Sequence, residues 1–246
     1  MAKNDFKLAD GAARIYEEQK VPALFRPLAD ATVELMPPQD GDRILDQACG
    51  TGILARTLRQ EASADTKITG AEFNAGMLAM AAEVADPALG PIEWYEANVI
   101  DLPFADRAFS KLYCQQGFQY FPEEQAALRE MRRVMEPGGR LLMTIWRGDS
   151  ALFEAVAQVL AEHFDQAMGD KAMSPFRYSG RDSLIERIAA ARFSDVLRDS
   201  LPMDKVIENT HEAIELEITG SPVGADLTGV DTAHMREIVA QCHAAL

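Results

Sequence analysis

Two carboxylates and two glycines in the first third of the chain are the residues best suited to bind a ligand. Asp46 follows the apolar pair Ile44 and Leu45, and Gly50 and Gly52 come shortly after it. Glu72 lies 20 residues beyond Gly52, at the end of a second apolar run. Glycine lets a ligand approach the main chain, and the helix that follows offers unpaired N–H groups. The spacing therefore predicts a nucleotide-cofactor site.

Two cofactor classes fit these residues differently. Gly50-Thr-Gly52-Ile-Leu-Ala55 satisfies the G-x-G-x-x-G/A pattern, and an acidic residue about 20 positions further on completes the dinucleotide fingerprint. A nicotinamide-dependent oxidoreductase is therefore one interpretation. Asp46 argues against it, because a carboxylate at the tip of the strand would repel a pyrophosphate. S-adenosylmethionine carries an ammonium, a sulfonium and no phosphate, so Asp46 favours that cofactor.

The sequence around Asp46 resembles motif I of the class I S-adenosylmethionine-dependent methyltransferases. Further segments resemble later motifs of that family in the same order: 68–78, 98–104, 114–122 and 136–146. The segments 16–27 and 174–176 are similar to the small-molecule subgroup, the methyltransferase type 11 and ubiquinone/menaquinone-biosynthesis-like enzymes. The resemblance implies methyl transfer from S-adenosylmethionine to a small-molecule acceptor by in-line displacement, with S-adenosylhomocysteine as the product.

The resemblance also assigns cofactor-binding roles to particular positions of this chain: Tyr16, Arg26, Asp46, Ala48, Gly50, Gly52, Glu72, Phe73, Met77, Asn98, Val99 and Gln115. Asp46 is expected to bind backbone or the cofactor's ammonium; the alternative is a turn cap. Glu72 is expected to accept the two ribose hydroxyls, or else to be a solvated carboxylate. Tyr16 and Arg26 either close over the cofactor or acceptor, or are ordinary helix-surface residues.

The remaining positions are expected to lie around the adenine and the sulfonium of the cofactor. Phe73 and Met77 flank the adenine in this interpretation, but core residues of the next helix would give the same pattern. Asn98 stands where the family commonly has aspartate, and it can still address the adenine amine. Val99 offers its backbone N–H to the ring. Gln115 ends the fourth predicted strand, near the expected sulfonium.

No catalytic residue is predicted from the sequence. Many relatives carry a histidine pair after the fourth strand, whereas this chain has Gln119-Tyr120 there. Tyr120 has an unperturbed pKa of about 10, so it would need strong local help to act as a base. A non-catalytic protein that binds S-adenosylmethionine is therefore an alternative to the methyltransferase, beside the NAD(P)-dependent oxidoreductase.

Composition narrows the classes of partner that the chain is expected to bind. The chain has 246 residues, 48% of them hydrophobic, and a net charge of −15, which opposes binding to nucleic acid or an anionic membrane. We expect a cytoplasmic protein without membrane insertion, since the start lacks a signal pattern and no apolar run reaches spanning length. The three cysteines suggest packing residues rather than disulfides, and no metal site is predicted. The oligomeric state is not indicated.

Alternating strands and helices position these residues. The pattern predicts an α/β fold, a doubly wound, mostly parallel Rossmann-like sheet with helical cap segments. Strands are expected near 43–46, 67–71, 92–96, 109–114 and 140–146, with a sixth near 195–201. Helices are expected over 10–19, 22–36, 52–61, 74–85 and 123–135.

Four segments follow from this pattern. They are an N-terminal helical cap (1–37), a cofactor-binding core (38–148), a helical lid insertion (149–192), and a strand with helices that complete the core (193–246). The apolar stripe of 151–164 has helical spacing. It fits either a helix packed on the core or a lid over the acceptor. Phe176 and Tyr178 are candidates for aromatic lining.

Overall fold

The structure, a computed structural model, describes residues 12–147, 150–203, 210–221 and 223–246. The chain divides into two compact units. The first contains residues 16–145 and 180–203, and the second contains residues 12–15 and 146–179 together with the described residues from 210 onward. The C-terminal helices, which we expected to complete the core of the sheet, share a hydrophobic cluster with the helices of 146–179.

The strands are β1 (Arg43–Gln47), β2 (Lys67–Glu72), β3 (Glu93–Glu96), β4 (Phe109–Gln115) and β5 (Met135–Thr144). The α-helices are α1 (Ala12–Ile15), α2 (Arg26–Leu35), α3 (Ile53–Glu61), α4 (Ala75–Val84), α5 (Glu124–Val134), α6 (Ala151–His163), α7 (Gln166–Met173), α8 (Leu184–Ala190), α9 (Thr210–Thr219) and α10 (Thr232–Ala244). A π-helical segment covers Tyr16–Phe25, and short 3₁₀ turns cover Pro87–Leu89, Phe118–Tyr120 and Gly224–Leu227.

The predicted doubly wound sheet is confirmed. Its order is β3-β2-β1-β4-β5, and all neighbouring strands are parallel. β1 lies in the middle, where Asp46 is in register with Gly70 on β2 and Tyr113 on β4. Strand order reverses between β1 and β4, and such a reversal opens a crevice at the carboxyl ends of the strands. Asp46 and the glycines that follow it stand at this crevice.

Apolar residues on both sides of β1 explain why it is central. Ile44 and Leu45 are fully buried, and Leu54 and Leu58 of α3 pack in the same cluster as Ile44. The α3 positions recur at helical spacing, so one face of the helix covers the sheet. This packing fixes the start of α3 against the end of β1.

The sixth strand predicted near 195–201 is wrong. Among the described residues, no strand follows β5, and 194–203 lack regular secondary structure. Asp195 has a left-handed φ of 53°, and Leu197 is 95% exposed. A strand needs extended φ and a buried face, whereas Asp195 is left-handed and none of residues 194–203 is buried.

The fifth strand also begins earlier than predicted. Met135 pairs with Phe109, whereas Arg140 pairs with Lys111, so the register shifts between these two positions. The turn residues 136–139 fall within this interruption. β5 follows α5 without a connecting loop and then bulges at Pro-Gly-Gly. No turn residue in the sequence therefore marks where the strand begins.

The N-terminal helices differ from the prediction of a break between residues 19 and 22. Helical structure continues from α1 through the π-helical segment into α2, and Pro22 lies inside it. A π-helix leaves irregular backbone hydrogen bonding, which accommodates a residue without an N–H. The change of helix type falls at Arg26, with Pro27 in the first turn of α2. Residues 10 and 11 lie outside the described part.

The second unit has its own core. Apolar residues from α6, α7, α9 and α10 form one cluster, including Val156, Leu160, Ile214, Ile218 and Ile238. The stripe of α6 therefore packs against helices of its own unit. Within the described residues, no helix combines the length and the apolar character needed to cross a bilayer.

Candidate functional site

Asp46 caps α3 from the end of β1. Its Oδ2 accepts a hydrogen bond of 3.0 Å from the backbone N–H of Ala55, in the first turn of the helix. A carboxylate satisfies one of the unpaired N–H groups there and interacts favourably with the helix dipole. The side chain is buried, and burial raises its pKa to about 8 despite the bond from Ala55. Nearby Glu72 raises the pKa further, and Arg56 lowers it.

Glu72 ties the ends of β1 and β2 together. Its Oε2 accepts the backbone N–H of Gly50 at 3.1 Å, and its Oε1 accepts the N–H of Asn74 at 2.9 Å. Burial raises the pKa of Glu72, while the hydrogen bonds from Asn74, Gly50 and Phe73 lower it. Because both oxygens are held, the orientation of the carboxylate is fixed before any ligand binds.

The two acids make the site negative when they ionise, because no basic side chain in the described part of the chain is paired with them. Among the described residues, neither Asp46 nor Glu72 forms an ion pair with a lysine, arginine or histidine, and each is raised in pKa by burial. Two buried acids that repel each other favour a cationic ligand, or one that donates hydrogen bonds, over an anion. These acceptor groups therefore suit a ligand with an ammonium or sulfonium and ribose hydroxyls.

The glycine turn is shaped by side-chain packing inside the protein as well as by the need to leave room for a ligand. Gly50 and Gly52 have φ of 57° and 79°, in the region that favours glycine. A Cβ on Gly52 would lie 2.5 Å from Trp94 Cη2, and one on Gly70 would also strike the Trp94 ring. Packing of Trp94 against Gly52 thus explains why this position has no side chain. From the sequence, we had expected the glycine to leave room for the cofactor. Ala48 also has a positive φ of 57°.

A small cleft of about 40 Å³ lies above this turn, in the first unit. Its lining includes the predicted residues Tyr16, Asp46, Ala48, Gly50 and Gln115. Tyr16 stacks on Phe25, with ring centroids 5.0 Å apart and planes at 28°. Burial raises the pKa of Tyr16 well above its ordinary value, and Tyr120, Glu72 and Glu17 raise it further. The Tyr16 phenol therefore stands close to the Glu72 carboxylate.

The residues expected around the adenine lie after β2 and β3. Phe73 is 47% exposed, and Met77 is buried with its Cε 3.6 Å from the Cβ position of Gly50. Val99 is buried, whereas Asn98 is exposed and its Oδ1 accepts the N–H of Ile100 at 3.2 Å. The Asn98 side chain thus closes its own turn in this structure.

Gln115 is held at the cleft, and Arg26 is not brought there. Gln115 Oε1 accepts a hydrogen bond from Thr32 Oγ1 at 3.1 Å. Arg26 pairs through Nε with Asp30 at 2.9 Å and donates through Nη2 to Gln60 Oε1 at 2.9 Å. It lines a different, larger cleft, so the structure separates it from the other predicted site residues.

Five further lining residues of the cleft were not predicted, and Phe25 and Thr51 are the two that bear on ligand binding. Phe25 lines the cleft and stacks on Tyr16. The only feature of the sequence that could have indicated its role is an aromatic residue near a proline in the N-terminal segment. Thr51 stands between the two glycines, and its Oγ1 is buried without a hydrogen-bond partner. A hydroxyl in the middle of a Gly-Thr-Gly turn could have been recognised as a donor aimed at a ligand.

The nucleophiles and bases near the cleft are held in their protonated forms. Burial raises the pKa of the Cys114 thiol to about 12 and that of Cys49 well above its ordinary value. Burial also raises the pKa of Tyr120, which the hydrogen bond with Gln119 partly offsets. These groups are weak bases and weak nucleophiles at neutral pH. Among the described residues, no group of three or more His, Cys, Asp or Glu side chains could hold a metal ion.

Comparison with known proteins agrees with this geometry. The sequence model of the ubiE/COQ5 methyltransferase family matches residues 24–168. The chain belongs to that family. The match includes β1, the glycine turn, Glu72 and the whole parallel sheet.

Individual relatives match a shorter part. A demethylmenaquinone methyltransferase from Thermus thermophilus is 41% identical over 101 residues, which are 41% of this chain and 46% of that protein. One from Listeria monocytogenes is 34% identical over 111 residues, 45% of this chain and 47% of that protein. The matched region thus spans about half the length of these curated relatives.

Solved structures share the fold. A chain in the complex of the Haloferax volcanii Trm112 methyltransferase activator with a methyltransferase superposes with a TM-score of 0.60 at 20% identity, covering 90% of this chain and 93% of that one. The YcgJ protein of Bacillus subtilis superposes with a TM-score of 0.57 at 17% identity, covering 87% and 82%. At these identities the similarity concerns the fold alone.

Proposed function

We propose that the protein transfers a methyl group from S-adenosylmethionine to a small-molecule acceptor and leaves S-adenosylhomocysteine. The observation that carries the proposal is the pair of buried carboxylates, Asp46 and Glu72, on either side of the glycine turn. When ionised, these carboxylates suit a cofactor with two positive groups and a ribose, and oppose a diphosphate. Family membership supports the same reaction.

Each predicted residue has a proposed place in binding. Asp46 attracts the ammonium, while its Oδ2 stays on Ala55. Glu72 accepts the ribose hydroxyls with the second lone pairs of its two oxygens, whose first lone pairs hold Gly50 and Asn74. Phe73 and Met77 offer an apolar surface to the adenine, beside Asn98 and Val99. Thr51 Oγ1 offers an unused donor to the carboxylate end of the cofactor.

Binding also requires a change at the N-terminal segment. The cleft of about 40 Å³ is far smaller than the roughly 300 Å³ or more of typical small-molecule sites. The Tyr16 ring, stacked on Phe25, lines this cleft. We propose that the π-helical segment moves outward when the cofactor enters and that Tyr16 then closes over it.

The chemistry needs orientation more than proton transfer. When bound, S-adenosylmethionine supplies a methyl carbon already activated by a sulfonium. The protein's task is to hold the acceptor in line with that carbon, and such alignment can supply about 7–11 kcal/mol. Tyr120 keeps its proton at neutral pH, so we assign no general base to it. An acceptor that ionises readily suits this site.

The test is transfer of a labelled methyl group to an acceptor panel, followed by mass spectrometry. Demethylmenaquinone belongs in the panel, because the relatives named above act on it by name. We expect a labelled product and stoichiometric S-adenosylhomocysteine. Tight cofactor binding without turnover on any acceptor would instead favour a non-catalytic binding protein. The oxidoreductase interpretation is not favoured by the family match.

A further inference from the structure

A second cleft of about 360 Å³ runs along the outward face of α3, in the first unit. Ile53, Arg56 and Gln60 form its floor, because they recur at helical spacing on that face. The π-helical segment bounds one side, and the stretch that leads from α4 to β3 bounds the other. Its volume is within the range of small-molecule sites.

The cleft combines a basic part with an apolar part. Its arginines are Arg26, Arg56 and Arg59, and its apolar lining includes Val21, Pro22, Val84, Leu89 and Ile92. Two acids also line it: Glu17 Oε1 pairs with Arg56 at 2.5 Å while its Oε2 is buried without a hydrogen-bond partner, and Asp86 Oδ1 accepts the N–H of Ala88 at 2.9 Å. Three arginines around one cleft are notable in a chain with a net charge of −15.

One arginine of the cleft has no paired carboxylate among the described residues, whereas Arg26 and Arg56 pair with Asp30 and Glu17. Arg59 is buried, and its guanidinium donates to the backbone carbonyls of Thr66, Ala62 and Ser63. Its Nε is buried without a hydrogen-bond partner, and it forms no ion pair with any described carboxylate. A buried cation paired only with neutral carbonyls favours an anion nearby.

Arg26 and Arg56 also lie close enough to repel each other. Burial lowers the pKa of Arg56, pairing with Glu17 raises it, and the charge of Arg26 lowers it again. Arg26 itself uses Nε and Nη2 for Asp30 and Gln60. Arg26 Nη1 remains for a ligand, whereas Arg56 donates through Nη1 to the Thr51 carbonyl and through Nη2 to Glu17. An anion bound by Arg26 would also offset the repulsion between the two guanidinium groups.

We propose that this cleft binds an organic anion with an apolar chain, its carboxylate or phosphate beside Arg26 and Arg56 and its chain against Val21, Leu89 and Ile92. The basic side fixes the head group, and the apolar side accepts the tail. The site adjoins the cleft at Asp46, with which it shares Ile53, but the Asp46 carboxylate in that cleft repels anions when ionised. The anion site therefore stands or falls independently of the proposed methyl transfer.

Calorimetric titration of the full chain tests this site with three probes that share a tail: octanoate, octyl phosphate and octyltrimethylammonium. We expect saturable binding of at least one anion and none of the cation. The anion that binds identifies the head group. Saturation by the cation to the same extent, or no saturable binding of either anion, would overturn the proposal.

Two variants and two matched controls locate the binding. Arg26→Gln should weaken anion binding about tenfold, as expected for the loss of one charge-assisted hydrogen bond. Leu89→Glu places a negative charge in the cleft and should weaken it at least as much. The controls are Arg43→Gln, an arginine of similar exposure in an ion pair with Glu136, and Leu35→Glu, an exposed leucine of α2 outside the cleft lining. Equal affinity in the variants and the controls would place the ligand elsewhere and refute the proposal.

Discussion

The backbone N–H of Gly50 donates to Glu72 Oε2 at 3.1 Å, which joins the turn after β1 to the end of β2. The same carboxylate accepts from Asn74 through its other oxygen. One side chain thus holds both the glycine turn and Asn74, the residue that caps α4. Its geometry is fixed by bonds within the protein, so a ligand meets a prepared acceptor.

Glu72→Gln should be more damaging than its small change in shape suggests. Both oxygens accept backbone N–H groups, so an amide must point its NH₂ at one of those donors. We expect cofactor affinity to fall by about 1–3 kcal/mol and thermal stability to fall as well. Calorimetry with S-adenosylhomocysteine and thermal unfolding measure the two effects. Glu96→Gln, at the exposed end of β3, is the control. A Glu72→Gln protein that matches it in both assays would contradict the described bonding.

Asp46→Asn should stabilise the protein at high pH. The unfolded chain loses the Asp46 proton near pH 3.8, while the folded protein keeps it to about pH 8. Between these values the folded state binds more protons, so this group makes the free energy of unfolding fall as pH rises. Asparagine cannot ionise and can still accept from Ala55.

Urea unfolding at pH 5 and pH 9 measures this effect. We expect Asp46→Asn to exceed the wild type by roughly 1–3 kcal/mol at pH 9 and by less at pH 5. The exposed Asp40→Asn is the control and should follow the wild type at both pH values. A variant less stable than wild type at pH 9 would show that the Asp46 carboxylate is not strained by burial.

Cofactor affinity should rise with pH through the titration of Asp46. A cation binds the ionised carboxylate, and a pKa of about 8 leaves that group mostly protonated at pH 6. Affinity for S-adenosylmethionine should therefore increase by up to about fiftyfold from pH 6 to pH 8, with release of a proton.

Calorimetry in buffers of different ionisation enthalpy counts the released protons. Asp46→Asn is the comparison, because the cofactor's own ammonium titrates equally with both proteins. The variant should bind more weakly and should lack the protein's share of the proton release. Identical proton release in the two proteins would show that Asp46 does not titrate on binding.

Gly70→Ala should unfold at a lower temperature because of Trp94. The new Cβ would strike the Trp94 ring, which also covers Gly52. We expect a loss of about 1–3 kcal/mol, as is usual for overpacking. In a Trp94→Leu background the same change should cost less, since the ring is gone. Gly229→Ala, which meets no atom within 4 Å, is the control. Equal costs of Gly70→Ala in both backgrounds would refute the contact.

The sequence predicted the strands well where an apolar run ends in an acidic residue and a turn. Apolar runs that end in Asp46 and Glu72, each followed by turn residues, indicate strands whose carboxyl ends meet. The order and direction of the sheet follow from the alternation of strands and helices. The placement of Asp46, Ala48, Gly50 and Gln115 around one cleft agrees with that reasoning.

What could not be predicted depends on contacts between distant residues. The missing strand near 195–201 reflects Asp195 in a left-handed conformation and Leu197 without a surface to cover it. The role of Gly52 depends on Trp94, 42 residues away in the sequence. Arg26 was placed at the cofactor by resemblance, but its side chain turns to Asp30 and Gln60 because those acceptors lie on adjacent helix faces.

The most direct measurement of the central claim is calorimetric titration of the protein with S-adenosylmethionine and with NAD⁺, repeated on the Asp46→Ala, Glu72→Ala double variant. We predict one saturable site for S-adenosylmethionine, weakened at least tenfold in the double variant, and no saturable binding of NAD⁺. Tighter binding of NAD⁺, or an unchanged affinity for S-adenosylmethionine once both carboxylates are gone, would contradict the claim that these acids select a cationic cofactor.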